Sequence, residues 1–164
     1  MGSREPNPPE DPRHSPYNGL GRYEHALAAA QRASDGMPDL FLSVWALPEL
    51  TEAAIRSGRA RLAAAACERL AESAHVSGTD WGLGIAARSQ ALLTEGEAAN
   101  RLYQEAIARL GRTRLRPELA RTHLLYGEWL RRENRRVDAR AQLRTAHELF
   151  AAIGMEAFAE RARG

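Results

Sequence analysis

The chain has 164 residues, which favours a single domain, and its 23 basic residues, all of them Arg, face 21 acidic residues for a net charge of +2. The chain contains no run of 18 apolar residues, which excludes a membrane span. It has a single Cys, which excludes an intramolecular disulfide and a metal site built from Cys. The first residues lack the apolar core of a signal peptide, so a cytoplasmic location is expected.

Residues 1–16 are rich in Pro and in charged residues, and five of the eight Pro of the chain lie there. Pro lacks a backbone N–H group and interrupts helices, and a polar segment has little apolar surface to bury. We therefore predict a flexible tail over 1–16, either a native linker or a remnant of cloning. The folded domain is predicted over 17–163.

From residue 17 onward the chain is predicted to form one helix after another. Ala, Leu, Arg and Glu, all strong helix formers, dominate the composition, and no segment alternates with the period of a strand. The predicted helices span 22–34, 39–57, 60–77, 80–95, 97–110, 117–133, 136–153 and 155–163. The fold class is therefore predicted to be all-α.

Helix ends are indicated by glycines that can adopt the left-handed conformation. These are Gly36, Gly58, Gly78, Gly96, Gly111 and Gly154. Pro117 suits a first helical turn, and Asp80 is expected to cap the helix that follows it. Pro48 either kinks the helix over 39–57 or marks a restart, and the sequence leaves both open.

The predicted helices repeat in pairs. Each pair carries the same pattern of four positions. A small residue is followed by Ala about twelve positions later, then by a larger residue four positions after the Ala, and then by a small or apolar residue three positions after that. One such set is Gly127, Ala139, Leu143 and Ala146. The anchors Ala26, Ala63, Ala99 and Ala139 are spaced by 37, 36 and 40 residues. This spacing predicts an α-solenoid of tetratricopeptide-like helix pairs, with about seven to eight helices. A half pair at the start suggests a segment of a longer chain.

Several runs carry a family resemblance over about residues 17–163. They read LRPELARTHLLYGEWLRR at 115–132, RVDAR at 136–140, LRTAH at 143–147 and GMEAFAERA at 154–162, with Asp80-Trp81, Arg88-Ser89 and Glu95-Gly96-Glu97 before them. With these runs the chain resembles the helical-repeat region of large LuxR-type transcriptional regulators of actinobacteria. The resemblance implies a sensor and relay segment that binds an effector or a protein partner.

In such regulators an ATP-binding module precedes the repeats and a helix-turn-helix follows them. This chain contains no GxxxxGK[ST] motif, and it ends before a helix-turn-helix. No cofactor and no direct nucleic-acid binding are therefore expected of this segment, although its parent would depend on ATP. Its expected partners are a protein or peptide, a small-molecule effector and the neighbouring domains. The unpaired first helix would also permit a homodimer.

The candidate ligand site is the inner groove of the repeat, which the first helix of each pair is expected to line. Guanidinium groups and indole rings suit the carboxylate end of a peptide, or a polyol stacked on Trp. The alternative is that the Arg side chains pair with Glu128 and Glu133 along their own helix. The candidate residues are Trp45, Glu52, Trp81, Arg88, Arg121, Glu128, Arg131 and Arg132.

No motif indicates catalysis or a metal site, and a non-enzyme is predicted. His123 and Cys67 occupy packing positions, and Gly82-Leu83-Gly84 lacks the preceding strand of a dinucleotide loop. Glu49 and Glu52 have no apolar pocket in the sequence pattern and are predicted to be surface acids.

The second part of the chain is basic, with 14 Arg and eight acidic residues over 101–164. The densest run is Arg109, Arg112, Arg114 and Arg116. Solvated helix faces, or contact with another domain, are favoured over DNA because no aromatic residue interleaves with this run.

Two other functions remain open from the sequence. The chain could be a free-standing helical-repeat scaffold for protein–protein interaction. More weakly supported is an α-helical ligand-binding or enzyme subdomain. The length of the native gene distinguishes the free-standing scaffold from the regulator, because the regulator requires further coding sequence on both sides of this segment.

Overall fold

The computed structural model describes residues 22–28 and 40–163, with side chains described for 22–28 and 46–163. The helices are α1 (23–28), α2 (Leu40–Arg56), α3 (Ala60–Ser77), α4 (Asp80–Ala91), α5 (Gly96–Gly111), α6 (Arg116–Arg132), α7 (Arg136–Ala152) and α8 (Glu156–Arg163). These ranges contain no strand, which confirms the all-α prediction. No helix among them is both long and apolar enough to cross a membrane. The predicted tail over 1–16 and the stop at Gly36 lie outside the described residues.

The predicted helix boundaries agree with the observed ones to within one residue for α2, α3, α5, α6, α7 and α8. The exception is α4, which ends at Ala91 and not at residue 95. Leu93 and Thr94 donate their backbone N–H groups three residues back, to the carbonyls of Gln90 and Ala91, so the chain turns away from the helix there.

The helices pack in adjacent pairs, α2 with α3, α4 with α5 and α6 with α7. Helices of consecutive pairs contact each other less extensively than the two helices within a pair. In addition, α8 packs on α7, and α2 contacts α4. This is the arrangement predicted from the repeat spacing, and it is consistent with a helical repeat.

The repeat anchors explain how the two helices of a pair approach each other. Ala26, Ala63 and Ala99 are completely buried, and Ala139 is 2% exposed. At Gly127 an added Cβ would lie 2.7 Å from Leu143 Cγ, so α6 and α7 touch at this position. The prediction that small residues permit helix contact is therefore confirmed.

The glycines of Gly82-Leu83-Gly84 lie inside α4 and not in a loop. A Cβ on Gly84 would lie 2.8 Å from Leu110 Cγ of α5, so this glycine permits a close helix contact within the second pair. The observed role of the motif is packing.

Three of the predicted helix stops are confirmed and have positive φ, namely Gly58, Gly78 and Gly154. Gly96 also has positive φ, but it is the first residue of α5, because α4 ends at Ala91. Gly111 has no positive φ; it is the last residue of α5. The turn between α6 and α7 instead uses Asn134, with φ of 60°, because a short polar side chain tolerates the left-handed region better than most residues.

The structure also decides three further local questions, on Asp80, Pro48 and Pro117. The cap of α4 is Thr79, whose Oγ1 accepts a hydrogen bond from the N–H of Gly82 at 3.2 Å, so the prediction that Asp80 caps this helix is wrong. Pro48 lies inside a continuous α2, which excludes a helix restart there. Pro117 occupies the first turn of α6, as predicted.

An aromatic cluster fills the space between the second and third pairs. The ring centroids of Tyr103 and Tyr126 are 5.1 Å apart, and those of Tyr126 and Trp129 are 6.0 Å apart. The hydroxyl of Tyr126 donates to Asn100 Oδ1 at 2.5 Å. Tyr103 is completely buried in this cluster, which places its hydroxyl deep in the molecule.

Candidate functional site

Six charged side chains from three helices form one ion-pair network, which we call the inner network. Its members are Glu49, Glu52 and Arg56 of α2, Arg121 and Glu128 of α6, and Arg161 of α8. The spacing of three, four and seven residues within α2 and α6 places each set on one helix face. The network therefore joins α2 to residues of α6 and α8 that lie about 70 to 110 positions away, and it joins α6 to α8 over 33 positions.

Arg121 lies at one end of the inner network and is 6% exposed. Its Nη2 donates to Glu49 Oε2 at 3.0 Å and to Glu52 Oε2 at 2.5 Å, and its Nε donates to Glu52 Oε2 at 3.1 Å. The guanidinium also lies over the ring of Phe158, 5.6 Å from its centroid. One buried Arg thus satisfies two buried carboxylates of α2.

Arg161 connects the other end of the network to α8. Its Nε and Nη2 donate to the two carboxylate oxygens of Glu128 at 2.7 and 2.9 Å, a bidentate pair. Its Nη1 lies 2.9 Å from Glu52 Oε1. Glu128 also accepts from Arg56 of α2. Glu52 and Glu128 therefore each bridge two guanidinium groups.

The first described helix borders the same network. The guanidinium of Arg56 lies 5.7 Å from the ring centroid of Tyr23 in α1, and that of Arg161 lies 6.0 Å from it. Cations over an aromatic face are attracted by its negative charge distribution. Side chains from α1, α2, α6 and α8 thus meet at one place.

The inner network balances three carboxylates against three guanidinium groups. Removal of such charges from water is costly, and the cost is offset only where each charge has partners with good geometry. Burial alone would raise the pKa of Glu128, but the guanidinium groups of Arg161 and Arg56 outweigh it and hold this pKa below its ordinary value of 4.5. Glu128 therefore stabilises the fold as an anion.

We expect the contribution of Glu128 to depend on pH. Because its pKa is lower in the folded chain than in the unfolded chain, the contribution is present above the ordinary pKa and is lost as the pH falls through the folded value. The measurement is urea unfolding of the wild type and of Glu128→Gln between pH 7 and pH 3. The difference in free energy of unfolding should be largest at pH 7 and shrink below about pH 4.5. A difference that is constant over this range would contradict the ion pairing.

Four buried polar atoms in the inner network or near it have no hydrogen-bond partner among the described residues. They are Glu52 Oε1, Arg56 Nε, Ser57 Oγ and the hydroxyl of Tyr103, and of these Glu52 Oε1 lies 2.9 Å from Arg161 Nη1 in an ion pair. Burial raises the pKa of Tyr103 well above its ordinary value, and the charges that act on the hydroxyl belong to Arg132, Arg56, Glu52 and Glu128. The buried hydroxyl of Tyr103 thus has no acceptor among the described residues.

The structure brings three of the eight predicted groove residues, Glu52, Arg121 and Glu128, into the inner network. For Arg121 the alternative of pairing along its own helix is wrong, because its partners Glu49 and Glu52 lie on α2. The prediction that these two are surface acids is wrong as well, since Glu49 is 5% and Glu52 is 1% exposed.

The other predicted groove residues lie elsewhere. Arg88 is 2% exposed and donates from Nη1 to Glu118 Oε2 at 2.7 Å, which links α4 to α6. Trp81 is half-buried and packs against the hydrophobic core that includes Leu50, Leu70 and Leu110. Arg131 and Arg132 are exposed at the end of α6. The side chain of Trp45 lies outside the described residues.

Sequence reasoning missed Arg161, Glu118 and the Tyr103 hydroxyl as polar partners. A signal existed for α2, where Glu49, Glu52 and Arg56 interrupt an otherwise apolar helix at spacings of three and four. Charges on such a helix require partners from elsewhere in the fold. Nothing in the sequence pattern indicates which Arg provides them.

The remaining candidates have structural partners. Arg109 and Arg112 of the basic run lie 3.4 and 3.3 Å from Asp80 Oδ1, in exposed pairs. His123 is half-buried with Nδ1 2.7 Å from Gln142 Oε1, and burial lowers its pKa. Cys67 is buried, and burial raises the pKa of its thiol. The packing positions predicted for His123 and Cys67 are confirmed.

No protein-family model, curated protein or solved structure matches this chain.

Proposed function

We propose that the chain is a non-catalytic sensor and relay domain of a LuxR-type transcriptional regulator, which binds an effector or a protein partner at its inner surface. The family resemblance of the runs at 115–132 and 154–162 supports the regulator assignment. The packing of the helices in adjacent pairs supports a tetratricopeptide-like repeat, and we propose that the pairs continue as an α-solenoid.

The observation that carries the proposal is the hydroxyl of Tyr103, buried beside the inner network without a partner. A buried hydroxyl without an acceptor costs about 1–3 kcal/mol. An occupant of the site that supplies an acceptor would remove this cost. The Nε of Arg56, buried and without a partner among the described residues, offers a second donor. The fitting occupant is a small polar effector, or a peptide end, with carboxylate or hydroxyl oxygens.

The inner network provides a route from this site to the rest of the repeat. Arg56 donates to Glu128, and Glu128 also holds Arg161 of α8. An anionic group placed beside Arg56 would compete with Glu128 for that guanidinium and would weaken the link between α2 and α6. A ligand shifts such an equilibrium by its difference in affinity for the two arrangements. Effector binding at α2 would thus change how α6 is held.

Tyr103→Phe tests the site. We expect this variant to raise the free energy of unfolding of the ligand-free chain by about 1 kcal/mol, because an unpaired buried hydroxyl is removed. We expect it also to abolish the rise in Tm produced by an effector found in a screen of dicarboxylates, amino acids, sugar alcohols and short peptides. Thermal and urea unfolding measure both.

Tyr126→Phe is the matched control, since its hydroxyl donates to Asn100. It should lower stability and leave the effector-induced rise in Tm intact. A loss of stability in Tyr103→Phe would show that its hydroxyl already has a partner. Persistence of the effector response in that variant would move the site elsewhere.

The regulator assignment is tested on the native gene. A GxxxxGK[ST] motif encoded before this segment and a helix-turn-helix after it would establish the assignment. A gene that encodes neither would favour the alternative, a free-standing helical-repeat scaffold for protein–protein interaction.

A further inference from the structure

A concave surface lies where the end of α6, residues 136–147 of α7 and the end of α8 meet. We call it the α7 groove, and it has a volume of about 610 Å³. Its floor is aliphatic, with the half-buried Leu143 and the almost fully buried Ala139 and Ala162. Its rim is basic, with Arg131 and Arg163 at its two sides, and none of the described residues that line it is acidic.

The basic rim follows the period of one helix. Arg136, Arg140 and Arg144 are spaced by four residues, so they form a row along α7 with about 6 Å of rise between neighbours. All three are exposed, and none of them has an ion-pair partner among the described residues. Ala139 and Leu143 lie in the adjacent row, one position before Arg140 and Arg144, on the groove floor.

These free guanidinium groups contrast with the other Arg side chains of the same region. Arg135 pairs with Asp138, and Arg163 pairs with Glu160, each three residues away. Arg136, Arg140 and Arg144 have no acidic residue three or four positions away on α7 except Glu148, which follows Arg144 by four. The sequence of α7 thus leaves one row of positive charge without local compensation.

We propose that the α7 groove binds an acidic amphipathic helix of a partner protein. Carboxylates four residues apart on such a helix match the row of Arg136, Arg140 and Arg144, because both rows have the same rise per turn. Apolar side chains in the adjacent row would cover Leu143, the half-buried residue of the floor. This site is separate from the inner network, and its argument does not depend on the regulator assignment.

The shape of the groove favours a peptide helix over other anions. The three Arg span about 12 Å of helix rise, which exceeds the size of a single phosphate group. Single-stranded nucleic acids are held by aromatic stacking as well as by charge, and no aromatic residue lines the groove in the described part of the chain. An aliphatic floor next to a charged rim is instead the pattern of a helix-binding groove.

The test uses a fluorescein-labelled peptide of sixteen residues, four repeats of Glu-Ala-Ala-Leu, which places Glu and Leu in adjacent rows. Fluorescence anisotropy with the full chain measures Kd. We expect Arg140→Gln/Arg144→Gln to raise Kd about tenfold, which corresponds to the loss of two exposed charge contacts. The matched control is Arg101→Gln, an exposed Arg of α5 away from the groove, which should leave Kd unchanged.

Two further probes separate the contributions of charge and floor. A peptide with Gln in place of Glu, or with Ser in place of Leu, should bind at least tenfold more weakly. Full binding of the Ser peptide would overturn the proposal, because charge alone would then explain the affinity. Equal effects of Arg101→Gln and the double variant, or tighter binding of a 20-nucleotide DNA strand than of the peptide, would also overturn it. The substituted Arg side chains are exposed, and an unchanged Tm confirms that the variants fold.

Discussion

Arg121→Met is expected to lower the free energy of unfolding by about 3–5 kcal/mol, because it removes a buried cation that two buried carboxylates share and leaves the inner network with an excess negative charge. Glu49 and Glu52 both accept hydrogen bonds from Arg121, and both are at least 95% buried. Met has a similar apolar length, so the substitution removes the charge and the donors with little change in volume. Urea unfolding at pH 7 measures the loss.

The double variant Arg121→Met/Glu49→Leu serves to isolate the ion pair. It removes one cation and one anion together, and an apolar pair of similar volume is often as stable as a buried ion pair. We expect it to recover part of the stability that Arg121→Met loses. Arg112→Met is the exposed control, since its pair with Asp80 lies at the surface and contributes little. Equal losses in Arg112→Met and Arg121→Met would contradict a structural role for the inner network.

Gly127→Ala is expected to lower the free energy of unfolding by about 1–3 kcal/mol, through overpacking between α6 and α7. The added Cβ would lie 2.7 Å from Leu143 Cγ and 3.2 Å from the backbone nitrogen of Leu143. The side chain can rotate away, but the backbone contact requires the two helices to separate. Because α6 carries both Arg121 and Glu128, the effector response proposed for the inner surface should weaken in the same variant.

Gly111→Ala provides the comparison for this prediction. Gly111 is the last residue of α5, has no positive φ, and an added Cβ would meet no atom within 4 Å. Ala restricts the unfolded chain more than Gly does, so this variant should be as stable as the wild type or slightly more stable. A gain in stability for Gly127→Ala as well would show that the contact between α6 and α7 is looser than its geometry indicates.

Local chemistry explains why the helices were predicted well. The signals that begin and end a helix act within a few residues, so the sequence alone contains the cause of each helix boundary. Here these signals are the helix-forming residues, the left-handed glycines at 58, 78 and 154, and Pro117 in a first turn. The error at the start of α4 arose because two neighbouring residues can both cap a helix. Thr79 caps α4 where Asp80 was expected, and the carboxylate of Asp80 faces Arg109 and Arg112 instead.

The candidate site was predicted only in part. The rule that first helices of pairs line the inner surface correctly grouped Glu52, Arg121 and Glu128. It did not include Arg161, because α8 follows the last full pair and has no assigned place in the repeat. The same rule predicted an open groove. In the structure the buried carboxylates and guanidinium groups bind each other across α2, α6 and α8.

The sequence by itself determined the helices, their pairing and the places where two helices of a pair touch, because these depend on residues within about 40 positions of one another. The spacing of the Ala anchors and the small residue at 127 were sufficient for this. The tertiary structure alone decided which charges meet, since the contacts of Arg121 with α2 join residues 69 and 72 positions apart. That distance is set by how successive pairs stack, and small rotations between pairs accumulate over the repeat. The near balance of 23 basic and 21 acidic residues thus conceals two different features, a neutral buried network and a groove along which Arg136, Arg140 and Arg144 form an exposed basic row.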